Sequence, residues 1–121
     1  MRFEPCYKRP FASFVKKQHK PFQAVIEDAV DVICADPAIG EAKIGDLAGI
    51  LVYKFTYKKQ LYLIAYHVPG VGHAKDRIED SALEHASPQF LFIDFYQMGS
   101  HENFYDDLKA YLKANGWYKC A

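Results

Sequence analysis

No apolar run in the chain approaches the ~18–20 residues that a membrane-crossing helix needs, which excludes a helical membrane protein. The opening Met1-Arg2-Phe3-Glu4 lacks the apolar stretch of a secretion signal, so a cytoplasmic location is expected. Cysteine is scarce: Cys6, Cys34 and Cys120 are odd in number and far apart. No pair has metal or redox spacing, so reduced thiols are expected. A surplus of charge is missing too, with 15 basic residues against 15 acidic ones. Dedicated nucleic-acid binders carry a strong basic balance. Here only the halves differ: 10 Lys/Arg against 7 Asp/Glu in residues 1–60, and 5 against 8 in residues 61–121. Internal repeats and low-complexity tracts are absent.

What is present suits one domain spanning residues 1–121. Half of the 121 residues are hydrophobic and a quarter are charged. A chain of this size can bury roughly two-thirds of its unfolded surface.

Residues 2–7 alternate weakly and predict a short strand. Pro10 and Pro21 suit the first turns of two helices. Phe22, Val25, Ile26, Ala29 and Ile33 recur at helical spacing, and Asp36-Pro37 ends the run. Residues 10–35 therefore predict an antiparallel helical hairpin. Residues 37–50, with Gly40, Gly45 and Gly49, read as a loop. Residues 51–57 and 61–68, rich in β-branched and aromatic side chains, predict a β-hairpin around Lys58-Lys59, without the usual Asn-Gly turn. Residues 69–88 are a long polar stretch with a short helix predicted over 76–86. Residues 90–98 predict a central strand. Ser100 is a fitting N-cap for a last helix with the apolar stripe Phe104, Leu108, Tyr111 and Leu112, stopped by Asn115-Gly116. The fold class is α+β: an antiparallel sheet of about four strands with helices packed on one face, an N-terminal helical hairpin and a C-terminal helix.

Two segments carry a family likeness. Lys43-Ile44-Gly45-Asp46-Leu47-Ala48-Gly49 precedes the strand Val52-Tyr53-Lys54-Phe55, and Gly99-Ser100-His101-Glu102-Asn103-Phe104-Tyr105 opens the last helix. Their order and the element order resemble the RelE/ParE superfamily of bacterial type II toxins, in a subgroup with a Gly-x-His-Glu-Asn-Phe-Tyr ending. The resemblance covers roughly residues 1–68 and 89–113. Two places depart from the pattern: Leu63 stands where many relatives carry arginine, and residues 69–88 form an insertion.

The resemblance implies a bacterial, cytoplasmic toxin silenced by a cognate antitoxin. It implies either an endoribonuclease that cuts mRNA, with the ribosome as a further partner, or a ParE-like inhibitor of DNA gyrase. A non-catalytic protein-binding module is the third alternative. For RNA cleavage the 2′-hydroxyl must lose a proton, the leaving oxygen must gain one, and charge on the phosphate must be stabilised. His101 is the candidate acid or base, and Tyr105, four residues on, the orienting or stacking group. Lys43 and Lys54 are the candidate phosphate cations, followed by Lys58 and Lys59 at the hairpin tip. Neither metal nor cofactor is expected. Structural alternatives stand beside these: a plain helix cap for His101, core packing for Tyr105, and solvated faces for Lys54 and for Lys16, Lys17 and Lys20.

Overall fold

Two prolines open the N-terminal helices. Pro10 and Pro21 lie in the first turns of α1 (Arg9–Lys16) and α2 (Lys20–Ala35), where their missing N–H groups cost nothing. A computed structural model describes residues 3–68 and 92–115. Around these helices stand β1 (Glu4–Tyr7), β2 (Glu41–Ala42), β3 (Leu51–Tyr57), β4 (Gln60–His67) and β5 (Phe92–Ser100), and the chain continues into α3 (Phe104–Ala114). Short 3-10 turns occupy Pro37–Ile39 and Gly45–Leu47. The stretch 69–88 read as an insertion, its predicted helix over 76–86, Gly116 and Cys120 lie outside the described residues.

The five strands form one sheet in the order β1-β5-β4-β3-β2. β1 pairs with β5 in parallel, and every other neighbouring pair is antiparallel. The fold is α+β, as expected, with three differences. The segment read as loop contains the edge strand β2. The sheet carries one parallel pair at its other edge. The hairpin is lopsided: α2 is twice the length of α1, and α1 lies along β5.

A further correction concerns the layers. Leu63, Ile64, Ala65 and Tyr66 follow one another on β4, and all four are fully buried. Successive strand residues point to opposite faces, so such a run needs cover on both sides. On one side Phe11, Phe22, Ile26 and Ile33 of α1 and α2 pack on Ile64, Tyr66, Ile93 and Phe95. On the other, Phe104, Leu108 and Leu112 of α3 pack on Val52, Leu63 and Ala65, with Leu47 and Ile50 from the preceding loop. The helices therefore cover both faces and not one.

Ser100 does not cap α3. It is the last residue of β5, and the helix begins three residues beyond His101, after Asn103. Asn103 takes φ +61°, the left-handed region that asparagine tolerates better than most side chains. That one residue reverses the chain from strand into helix.

Tyr66 ties β2's approach to the sheet. Its buried hydroxyl donates to the Pro37 carbonyl at 2.6 Å and accepts from the Gly40 amide at 2.9 Å. Burial pushes its pKa up to about 12. Below the unfolded tyrosine pKa of ~10 both states hold the proton, so the anchor's contribution is fully present there. Between pH 10 and about 12 the unfolded chain loses the proton first, and the fold loses stability. Tyr66→Phe is expected to cost about 1–3 kcal/mol at pH 7. Urea unfolding at pH 7 and pH 11 checks both points: the gap between wild type and Tyr66→Phe narrows at the higher pH.

Candidate functional site

The register sets which side chains share a face. Glu41 pairs with Val52, and the Lys43 amide donates to the Ile50 carbonyl at 2.9 Å. Glu41 and Lys43 therefore lie on the face of Ile50, Val52 and Lys54, the face that α3 covers. The loop between Lys43 and Ile50 keeps this arrangement because Gly45 and Gly49 adopt φ +70° and +98°. The two glycines of the Lys-x-Gly-Asp-Leu-x-Gly segment thus have a backbone reason.

Four of the six candidate side chains meet around α3's first turn and the β2 edge. The His101 and Tyr105 rings stand edge to face with centroids 6.0 Å apart. Lys43 Nζ lies 5.3 Å from the centre of the Tyr105 ring. One oxygen of Glu41 then holds both lysines, at 3.5 Å from Lys43 and 3.8 Å from Lys54. A continuous row results: His101, Tyr105, Lys43, Glu41, Lys54.

The elements explain the row. Phe104 and Leu108 are sealed beneath α3, which fixes the helix and presents Tyr105, half-buried, beside that seam. His101 sits in the exposed turn, three residues ahead of the helix. It was expected on the helix itself, one turn before Tyr105. The rings still meet, because the tight turn at Asn103 folds residue 101 back over residue 105. Within that turn the Phe104 amide donates to the His101 carbonyl at 3.3 Å.

Burial lowers the pKa of Lys43, but the neighbouring Tyr105 and the Glu41 charge outweigh it, and the ammonium is held above the ordinary lysine value. Lys43 is thus a fixed cation and a poor proton donor near neutrality. Its side chain is 21% exposed, against 47% for Lys54. The trio of Glu41, Lys43 and Lys54 keeps a net charge of +1, open to an incoming anion.

Lys58 and Lys59 do not join the row. They form the β3–β4 turn, where Lys58 Nζ lies 5.6 Å from the ring of Tyr57. Glu41 was missed by the sequence reading. A glutamate in a glycine-bearing loop has no signature; only the β2–β3 pairing brings it between the lysines. Among the described residues, no group of three or more His, Cys, Asp or Glu side chains could hold a metal ion. None of the described helices is long and apolar enough to cross a membrane.

The family model described as "ParE-like toxin of type II bacterial toxin-antitoxin system" matches residues 6–76, more than half of the chain. That span holds Glu41, Lys43, Lys54 and the two-glycine loop; His101 and Tyr105 lie beyond it. No curated protein matches the chain.

Proposed function

Because this chain belongs to the ParE-like toxin family of type II bacterial toxin–antitoxin systems, with a cognate antitoxin as its partner, we propose that it arrests growth by cutting mRNA on the ribosome. The observation that carries this reading is the row His101–Tyr105–Lys43–Glu41–Lys54 on one face of the sheet.

In this reading a phosphate of the RNA docks on Lys43 and Lys54, displacing Glu41 from one or both. Two ammonium groups then face the charge that builds on the phosphorus. His101, exposed at the end of the row, moves the proton of the 2′-hydroxyl or of the leaving 5′-oxygen. Tyr105 touches His101 on one side and Lys43 on the other, and so sets the distance between proton carrier and cation. A poison that acts by binding alone has no use for such a proton carrier.

Induced expression tests the reading. Wild type should arrest growth with new transcript ends, and His101→Ala should grow with intact transcripts. Arrest with intact mRNA and a DNA-damage response would assign the chain to gyrase inhibition. Growth unaffected by wild type would leave a protein-binding module. The Tyr105→Phe variant should keep the ring contacts with His101 and Lys43 and lose only the hydroxyl, costing about tenfold in rate or less. Single-turnover cleavage of a synthetic mRNA reads it.

A further inference from the structure

Positive charge also collects at the end of the molecule away from the β2 edge. Lys16 ends α1, Lys17 follows it, and Lys20 begins α2. Gln23 fastens this turn by donating from Nε2 to the Val15 carbonyl at 2.9 Å and the Gln18 carbonyl at 3.0 Å. Two residues past Lys20, Phe22 stacks on Tyr57 with centroids 4.4 Å apart and ring planes 8° apart. Tyr57 leads directly into Lys58 and Lys59 at the β3–β4 turn. The ring stack therefore sets three lysines of the helical turn beside two of the strand turn.

All five lysines are exposed. Among the described residues none has a carboxylate oxygen within 4.0 Å; the lysines that do are Lys8, Lys43 and Lys54. The sequence keeps acids away from both turns. No Asp or Glu occurs between Glu4 and Glu27, nor between Asp46 and Asp76. Five cations without a carboxylate partner among the described residues gather at these two turns, in a chain whose net charge is zero.

The strand turn bears a second mark. Lys58 and Lys59 adopt φ +50° and +68°, a region that L side chains enter at a cost and that Asn-Gly occupies without strain. Strain kept at an exposed turn points to a use for the side chains that bear it.

We propose that Lys16, Lys17, Lys20, Lys58 and Lys59 form a docking surface for the phosphate backbone of RNA, flanking the candidate cleavage site. The proposal rests on the RNA reading of that site. Position supports it: Tyr62, which packs on Phe22 at 4.9 Å, pairs on β4 with Ser100, the neighbour of His101. An RNA held on the lysines thus reaches the sheet end where His101 stands. Chemistry favours RNA over an acidic protein. Protein interfaces centre on buried apolar anchors, and here Phe22 and Tyr57 spend their faces on each other. Spaced ammonium groups alone suffice for a polyphosphate.

The test is fluorescence anisotropy with a labelled, fully 2′-O-methylated single-stranded RNA, which cannot be cut through its 2′-oxygen, titrated between about 50 and 200 mM salt. The variants are Lys58→Asn/Lys59→Gly, Lys17→Gln/Lys20→Gln and His101→Ala. Each double variant should flatten the dependence of log K on log salt by about 1.4, from two contacts at about 0.7 each. At ~0.1 M salt that is about a 25-fold loss of affinity. Lys58→Asn/Lys59→Gly should also melt at a higher temperature than wild type, so its weaker binding cannot come from unfolding. His101→Ala should bind as wild type does, which separates docking from cleavage. Slopes unchanged in both double variants overturn the proposal, even if His101→Ala abolishes cutting. So does wild type that ignores the RNA probe but binds polyglutamate, an outcome that assigns the surface to an acidic protein.

Discussion

His101→Ala is expected to lower the rate of the proposed RNA cleavage by about 10²–10⁴-fold and to leave the fold intact. The range is that of a lost general acid or base. Stability should stay within about 0.5 kcal/mol of wild type, because the side chain is exposed and no buried group depends on it. Its ring contact with Tyr105 is made at the surface end of the row. A structural cap would behave in the opposite way, with lowered melting temperature and unchanged rate. Single-turnover cleavage and thermal unfolding, measured on one preparation, therefore separate the two roles. His101→Gln sharpens the comparison: it keeps polarity and approximate bulk but moves no proton, and it should be as slow as the alanine variant.

The largest loss of stability is expected from Gly40→Ala, a change of one methyl group. Gly40 has an extended backbone with φ −79°, so conformation does not demand glycine there. Space does. A Cβ on residue 40 would lie 2.5 Å from the Tyr66 hydroxyl and 2.9–3.0 Å from two ring carbons. Tyr66 is fully buried and stacked near Phe95, with ring centroids 5.9 Å apart, so the ring has nowhere to go. The strain of overpacking, about 1–3 kcal/mol, adds to the loss of the Tyr66 hydrogen bonds, about 1–3 kcal/mol. Together the expected cost is roughly 2–6 kcal/mol. Gly40 directly precedes Glu41, so a displaced β2 also separates the carboxylate from its two lysines. Urea unfolding should show the lower midpoint. Cleavage below the melting temperature should fall as well, although residue 40 touches no substrate.

The contrast between these two positions shows what the sequence makes legible. The helices of residues 9–35, the hairpin strands and the last helix follow from local patterns: proline at helix starts, apolar spacing, and β-branched runs. The layering did not follow. That α3 lies opposite α1 and α2 is decided by the double-sided burial of Leu63–Tyr66, which reads in sequence only as a hydrophobic strand. The need for Gly40 was equally hidden, since it arises from a tyrosine 26 residues away.

The site was legible by half. His101 and Tyr105 stood out through their spacing, and the structure joins them by a route other than the expected one, a left-handed turn at Asn103 in place of a shared helix face. Lys43 and Lys54 were named as separate cations. Their joint tether to Glu41 depends on a two-residue edge strand too short to announce itself. Lys58 and Lys59, read as the weaker candidates at the hairpin tip, stand at that tip, apart from the row and near lysines read as a solvated helix face. Charge counted along a chain says how much there is; the Phe22–Tyr57 stack decides where it gathers.

The measurement that most directly tests the central claim is the chemistry of the cut ends. Purified toxin, added to translating ribosomes with a synthetic mRNA, should yield downstream fragments that begin with a 5′-hydroxyl, as attack by the neighbouring 2′-oxygen requires. A single 2′-deoxy substitution at the cut position should abolish that cut, and His101→Ala should slow it on the unmodified RNA. An mRNA that remains whole, or one cut equally fast by His101→Ala, would contradict the account.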